Sequence, residues 1–160
     1  MIYNFEFKKI SKEYDEGMAA IVRSNLKARG LDIPGTAYFD DMLDHLSSYY
    51  DREGRAYFVL LRDGILAGGI GIAEFEGIKD CCELQKLYLR QDMQGNGAGY
   101  CMVEFIEEKA RELGYRKIYL ETHTNLAAAI HIYEKLGYQR IDPPASVVHS
   151  TMNRFYLKEL

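Results

Sequence analysis

The fold is decided by the segment LYLRQDMQGNGAGYCMVEFIEEKARELG (residues 87–114), which joins a strand-like run to a helix-like run. Three of the six residues 94–99 are glycine. Glycine weakens both strands and helices, so this cluster indicates that bare backbone is needed at the junction. Beyond it, Met102, Phe105 and Ile106 recur at helical spacing and predict an amphipathic helix.

A helix that begins directly after a strand presents unpaired backbone N–H groups and the positive end of its dipole to whatever precedes it. Glycines permit positive φ and let ligand oxygens reach the backbone. The junction therefore predicts an anion site made of peptide groups, suited to a phosphate. Such a site needs no lysine and is compatible with the formal net charge of −4. A flexible loop with chance glycines is the alternative.

The composition is that of one globular domain spanning residues 1–160, with 48% hydrophobic residues. Because we find no Lys/Arg cluster of the nucleic-acid-binding type, no nucleic acid partner is expected. No apolar run reaches the roughly 18 residues of a membrane span, so no membrane partner is expected either. The chain begins MIYNFEFKKISKEYDEG, which lacks signal-peptide features, and we expect a cytoplasmic protein.

The three cysteines, Cys81, Cys82 and Cys101, fit no zinc-binding pattern, and no metal is expected. Cys81 and Cys82 would point to opposite faces of a strand, which makes a disulfide between them unfavourable. We interpret all three as small buried hydrophobic residues.

Hydrophobic patterning predicts a mixed sheet with helices packed on it, in the order β-α-α-β-β-β-α-β-α-β-β. Strands are expected at 3–10, in a hairpin at 55–77, and at 81–89, 116–123, 138–141 and 152–160, and helices at 13–30, 39–54, 100–113 and 126–136.

The β-loop-α-β unit at residues 81–121 has a second interpretation, a dinucleotide-binding (NAD(P)) unit with Glu121 near the ribose. The pattern G-x-G-x-x-G counted from Gly95 fails, because position 100 is Tyr100. A hairpin also precedes the unit, where a repeated βαβ series should begin. This interpretation is therefore the less favoured one.

Two motifs resemble those of the GNAT superfamily of N-acetyltransferases, in particular small bacterial members of undefined acceptor. Gln94, Gly97 and Gly99 are similar to its acyl-CoA signature, Q/R-x-x-G-x-G/A. The block NLAAAIHIYEKLGYQRI (125–141) resembles a later motif of the family, and the element order also agrees over nearly the whole chain. The resemblance implies an α/β (α+β) GNAT fold. Its mixed, mostly antiparallel sheet of about seven strands carries about four helices and splays between strands 81–89 and 116–122.

The resemblance also implies acetyl-CoA as cosubstrate and N-acetyl transfer to a primary amine by direct attack in a ternary complex. The acceptor would be a small molecule or a peptide. The pyrophosphate would contact backbone N–H groups of the glycine loop, and the pantetheine arm would pair with strand 81–89. The cofactor-binding residues implied are Leu87, Tyr88, Leu89, Gln94, Gly95, Asn96, Gly97, Ala98, Gly99, Asn125, Ala128 and Tyr133.

Acyl transfer to an amine needs a base, an oxyanion donor and an acid. By resemblance Glu83 is the candidate base, directly or through water, with Glu121 and His123 as alternatives. A carboxylate is a weak base unless burial raises its pKa. The family-based oxyanion donor is a backbone N–H near Leu89. Tyr133 is the candidate acid, because a phenol can donate to a departing thiolate.

The same residues also have non-catalytic interpretations, which stay open. Glu83 would alternatively orient an ammonium without taking its proton, and Tyr133 would be one of 13 tyrosines packed in the core. Asn125 would cap the later helix, with or without contacting CoA. His131 is expected to be a surface or hydrogen-bonded histidine.

The acceptor and the assembly are less defined by the sequence. Four tyrosines are candidates to line an acceptor pocket, and the acidic net charge mildly favours a cationic acceptor. The main alternative function is a non-catalytic acyl-CoA-binding or sensing module, which would need neither candidate catalytic residue. A homodimer through the terminal strands is suggested by the resemblance. The four tyrosines are Tyr38, Tyr49, Tyr50 and Tyr57.

Overall fold

A computed structural model describes residues 4–147 and 150–160. The order of strands and helices agrees with the predicted order, so the mostly antiparallel sheet of seven strands with four helices is confirmed. The strands are β1 (Phe5–Lys9), β2 (Ala56–Arg62), β3 (Ile65–Glu74), β4 (Cys81–Leu89), β5 (Lys117–Thr122), β6 (Gln139–Ile141) and β7 (Arg154–Glu159). The helices are α1 (Asp15–Ala28), α2 (Leu46–Tyr49), α3 (Ala98–Glu112) and α4 (Ala127–Lys135).

The second helix is much shorter than the predicted range 39–54. Short 3-10 turns precede it, at Ala37–Phe39 and Leu43–His45. Polar side chains take backbone donors here: the Thr36 hydroxyl accepts from the Tyr38 N–H and the Asp40 carboxylate accepts from the Met42 N–H. Such local bonds compete with helix formation, which explains why the prediction was wrong.

The sheet has the strand order β1-β2-β3-β4-β5-β7-β6, and among the described pairs only β4 and β5 run parallel. Helix α1 packs on one face through Met18, Val22 and Leu26. Helix α3 packs on the opposite face through Met102 and Ile106. The two helices that border the middle of the sheet are therefore separated by the sheet itself.

The predicted splay lies between β4 and β5. They pair at Cys81–Lys117, Cys82–Ile118 and Glu83–Tyr119, and no further. Strand β4 continues to Leu89 along β3, while the other edge of β5 is covered by β7. The facing edges of β4 and β5 beyond Glu83 are consequently left open in the middle of the sheet.

A β-bulge shapes the open half of β4. The register with β3 shifts between Gly69 and Gly71, and Lys86 in β4 has φ +53°. The hydroxyl of the fully buried Tyr57 donates to the Lys86 carbonyl (2.8 Å). A Cβ at either glycine would lie 2.4 Å from the Tyr57 ring. Glycines on β3 therefore make room for the tyrosine that fixes the bulge on β4.

Two sequence expectations about the surface can be checked here. Cys81 and Cys82 are buried as predicted, but Cys101 is exposed, because it lies on α3 beside the buried stripe that contains Met102. No helix in the described part of the chain has the length and apolar content needed to cross a membrane.

Candidate active site

A cleft of about 360 Å³ opens where β4 and β5 separate. On one face of the sheet it is lined by Asn25 of α1 and by Arg29, which directly follows α1. On the other it is lined by Tyr100 of α3 and by Ala128 and Tyr133 of α4. Since α1 and α3 pack on opposite faces, the cleft passes through the sheet by way of the gap between the strands.

The structure brings most of the predicted cofactor-binding residues together in this cleft. Asn96, Ala98 and Asn125 are not among its lining residues. The Asn96 side chain accepts a long hydrogen bond from the Ala98 N–H (3.4 Å), at the start of α3. The predicted residues that line the cleft are Leu87, Tyr88, Leu89, Gln94, Gly95, Gly97, Gly99, Ala128 and Tyr133.

Asn125 does not cap α4, which begins only at Ala127. Its side chain donates to the Arg29 carbonyl (2.9 Å) and so ties the β5–α4 loop to the end of α1. Its position in the sequence suggested a cap because the helix pattern continues back to Leu126, which itself occupies the N-cap position.

The three glycines of the loop serve two purposes. Gly95 and Gly97 have φ of +85° and +83°, and a Cβ built on either would meet no atom within 4 Å. Gly97 is the N-cap of α3, so open space borders the positive end of a 15-residue helix. A Cβ on Gly99 would instead lie 2.6 Å from Ile132, which shows that this glycine allows α3 and α4 to pack closely. The first two fit an anionic group that approaches the backbone.

The end of β4 presents a backbone N–H to the gap. The Arg90 N–H donates to the Ala67 carbonyl of β3 (2.8 Å). Strand alternation therefore directs the N–H and C=O of Leu89 to the opposite edge, which faces β5. The Leu89 carbonyl accepts from Asn25 (2.8 Å) and Gln94 (3.2 Å). These side chains fix the peptide group between Leu89 and Arg90, and neither of them uses the Leu89 N–H, which the strand directs at the gap.

Glu83 occupies the last paired position before the strands separate. The pKa of its carboxyl is raised to about 7, mainly by burial and to a smaller extent by the negative charge of Glu121. A hydrogen bond from the Gln85 side chain (2.7 Å) acts in the opposite direction and lowers it. Gln85 in turn accepts from the Tyr50 hydroxyl (2.7 Å). Although Glu83 does not itself line the cleft, its neighbour Leu84 does. It is thus a carboxylate held at the apex of the gap with a pKa suited to base catalysis near neutrality.

The two alternative bases are placed differently. Glu121 lines the cleft and accepts a hydrogen bond from the Tyr119 hydroxyl (2.8 Å). His123 lies outside the cleft lining, and its Nδ1 accepts from the Asn125 N–H (3.0 Å). A base needs a free lone pair, so His123 is the weaker candidate of the two.

Tyr133 is 5% exposed, and burial raises its pKa further above 10. No described residue hydrogen-bonds the Tyr133 hydroxyl. In residues 4–147 and 150–160, every side-chain N or O atom that is fully buried has a hydrogen-bond partner, so this hydroxyl is not fully buried. The hydroxyl must therefore open onto the cleft that Tyr133 lines. His131 also lines this cleft, which its place on α4 did not suggest.

Sequence patterning missed the contribution of α1. Asn25 is 8% exposed and lies on the apolar stripe of Ile21 and Val22, where a polar residue is unexpected. Arg29 follows one helical turn later, on the same side. A polar side chain on an otherwise apolar stripe was the signal that could have identified this wall of the cleft.

The chain matches the model of the acetyltransferase (GNAT) family over residues 21–138. It is 35% identical over 137 residues to the uncharacterized N-acetyltransferase YjgM of Escherichia coli, covering 84% of this chain and 82% of that protein. The probable N-acetyltransferase camello of Xenopus tropicalis is 29% identical, over 68% of this chain and 51% of its own length. The chain therefore belongs to the GNAT acetyltransferase family, and its class of reaction is acyl transfer.

Solved structures agree in fold. A GNAT-family acetyltransferase from Staphylococcus aureus Mu50 superposes with a TM-score of 0.85 at 17% identity, covering 98% of this chain and 99% of that one. The PaiA N-acetyltransferase of Thermoplasma acidophilum, solved in complex with coenzyme A, gives 0.78 at 19% identity, with 98% and 99% covered.

The raised pKa of Glu83 predicts a pH-dependent stability difference that needs no substrate to measure. Folding disfavours the ionised carboxylate, so wild-type stability should be lost as pH rises from about 4.3, the ordinary glutamate value, to about 7. Glu83→Gln removes this effect. We therefore expect the urea midpoint of Glu83→Gln, relative to that of the wild type, to increase as the pH is raised from about 4 to about 8, roughly the range over which Glu83 titrates.

The matched control is Glu104→Gln, which removes an exposed charge on α3. A midpoint difference between Glu83→Gln and wild type that stays constant across this pH range would contradict the assigned environment of Glu83.

Proposed function

We propose that the protein transfers an acetyl group from acetyl-CoA to a primary amine by direct attack in a ternary complex. One observation carries the proposal: the gap that opens beyond the Glu83–Tyr119 pair leads to the glycine-capped start of α3. Acetyl-CoA is an extended thioester with a phosphate-bearing tail. Its thioester arm fits the gap through the sheet, and its phosphates fit the helix N-terminus at which the gap ends.

The described residues fit coenzyme A in charge and in shape. Gly95 and Gly97 leave open space over backbone N–H groups, which suits a pyrophosphate. At residues 87–89, the open edge of β4 offers backbone N–H and C=O groups. The amide groups of the pantetheine arm can pair with them as an added strand would. The Thermoplasma relative solved with coenzyme A supports this choice of ligand. When bound, acetyl-CoA supplies the activated acetyl thioester.

Glu83 is the base in this proposal. An alkyl ammonium of pKa about 10.4 must lose a proton before it can attack. With a pKa of about 7, the Glu83 carboxylate is a much better acceptor near neutral pH than an ordinary glutamate. Since Glu83 lies behind the cleft lining, proton transfer through a water is the arrangement that fits best. Glu121, which lines the cleft, binds the ammonium.

Leu89 and Tyr133 stabilise the developing charges. The Leu89 N–H, directed at the gap, is placed to donate to an oxyanion. The Tyr133 hydroxyl keeps its proton because burial raises its pKa. From the wall of the cleft, this hydroxyl is placed to donate a hydrogen bond or a proton to the departing thiolate.

Direct attack is favoured over an acyl-enzyme intermediate. Cys81 and Cys82, the cysteines nearest to Glu83, have pKa values raised by burial to about 11 and about 12. Both are thiols at neutral pH, and the thiol is a poor nucleophile.

The dinucleotide alternative loses support from the sheet, because its single described parallel pair, β4–β5, offers no repeated βαβ unit. The non-catalytic CoA-binding module remains as the second candidate. Release of free thiol from acetyl-CoA, measured with a panel of primary amines, separates the two. We expect amine-dependent release; CoA binding with no release for any amine would favour the module.

Tyr133→Phe should lower kcat about ten- to a thousandfold, because the thiolate then leaves without a proton donor. The KM for acetyl-CoA should change little. Steady-state thiol release measures both constants, and Tyr115→Phe, whose hydroxyl bonds the Gly54 carbonyl, is the control. An unchanged kcat in Tyr133→Phe would remove the acid role.

Gly97→Val should abolish or greatly weaken CoA binding, because a side chain would cover the helix N-terminus. Gly114→Val is a matched control: its φ is +91°, a Cβ there also meets no atom within 4 Å, and it lies at the other end of α3. Backbone strain is thus similar in both variants. Calorimetric titration with CoA should separate them, and equal affinities would show that the loop does not hold the ligand.

A further inference from the structure

The charges that line the cleft differ on its two sides. Among the described residues, one lysine and one arginine line the cleft: Lys86 and Arg29. Lys86 is neutralised by Asp40, whose carboxylate lies 2.7 Å from its ammonium. The Arg29 side chain has no ion pair or hydrogen bond within residues 4–147 and 150–160. The cleft therefore contains one cation whose charge nothing in this part of the chain compensates.

Arg29 belongs to the face of the sheet opposite α3. It follows Asn25 by one helical turn, about 6 Å along the axis, and Asn25 holds the Leu89 carbonyl at the gap. The Arg29 carbonyl is itself fixed by the Asn125 side chain. The Arg29 backbone is thus held beside the cleft that its side chain lines, on the face of the sheet opposite α3.

Two carboxylates lie on this same face. Glu83 and Glu121 alternate along their strands with core residues that pack under α3, such as Cys82 and Leu120. Gln85, on the same side as Glu83, bonds Tyr50 of the α1-side core. The α1 side of the cleft consequently combines the Glu121 carboxylate, with Glu83 behind it, and the unpaired Arg29 guanidinium.

We propose that Arg29 binds the carboxylate of the acceptor, so that the acceptor is an amino acid: a small molecule with a primary amine and a carboxylate. This inference rests on the proposed acetyltransferase function and deepens it. The ammonium meets Glu121, with Glu83 acting through a water, and the carboxylate meets the planar, bidentate guanidinium. A positive charge at a helix C-terminus also suits the helix dipole, but that role does not require Arg29 to line the cleft.

The test compares acceptors that differ only in the carboxylate. Each of the common L-amino acids is assayed beside its carboxamide and its decarboxylated amine, with thiol release from acetyl-CoA as the readout. We expect the best amino acid to exceed its two analogues in kcat/KM by about 10- to 100-fold, the range for one charge-assisted pair.

Arg29→Gln should abolish that preference while leaving the KM for acetyl-CoA unchanged, and Arg29→Lys should retain part of it. Arg116→Gln, which removes an exposed charge just before β5, is the matched control and should behave as the wild type. Retention of the preference in Arg29→Gln would overturn the assignment of the carboxylate to Arg29.

Other outcomes have distinct meanings. Equal or faster turnover of the carboxamides and amines by the wild type would overturn the amino-acid proposal and leave the acetyltransferase function standing. A raised KM for acetyl-CoA in Arg29→Gln would show that Arg29 serves the CoA phosphates, and would also overturn it. No thiol release with any amine, despite CoA binding, would overturn the proposed function and this inference together.

Discussion

The architecture depends on two strand edges that are left unpaired in the middle of a sheet. Buried backbone N–H and C=O groups normally find partners. Here β4 and β5 stop pairing after Glu83 and Tyr119, and the open edge of β4 runs on to Leu89. A gap of this kind is costly for folding alone. It is explained if a ligand with amide groups of its own completes the sheet.

The rest of the protein holds that gap open. The buried Tyr57 fixes the β4 bulge through the Lys86 carbonyl, and Asn25 and Gln94 fix the last peptide of the strand. The Tyr50–Gln85 hydrogen bond positions the side chain that supports Glu83. Except for the Gln94 contact, which comes from the glycine loop, these contacts come from the α1 side of the sheet or from the strand beside β4. The α1 side of the gap is therefore shaped mainly by packing outside the glycine loop.

Much of this could be predicted from sequence, because strand and helix periods, the glycine cluster and the tyrosine before EKLGY are local signals. The element order and the splay were predicted on that basis together with the family resemblance. Long-range side-chain contacts were not accessible from the sequence: Asn125 bonds the Arg29 carbonyl instead of capping α4, and Gly99 gives room to the Ile132 side chain of α4. The role proposed for Arg29 was not accessible from the sequence, since only the fold brings the end of α1 to the cleft.

A crystal structure of the protein with bound CoA tests most directly whether CoA occupies the gap. We expect the pyrophosphate on the backbone N–H groups at the start of α3 and the pantetheine amides bonded to β4 at residues 87–89. The sulfur should lie in the gap, within reach of the Tyr133 hydroxyl. A structure in which β4 and β5 pair along their whole length, or in which CoA lies outside the gap, would contradict this placement of CoA.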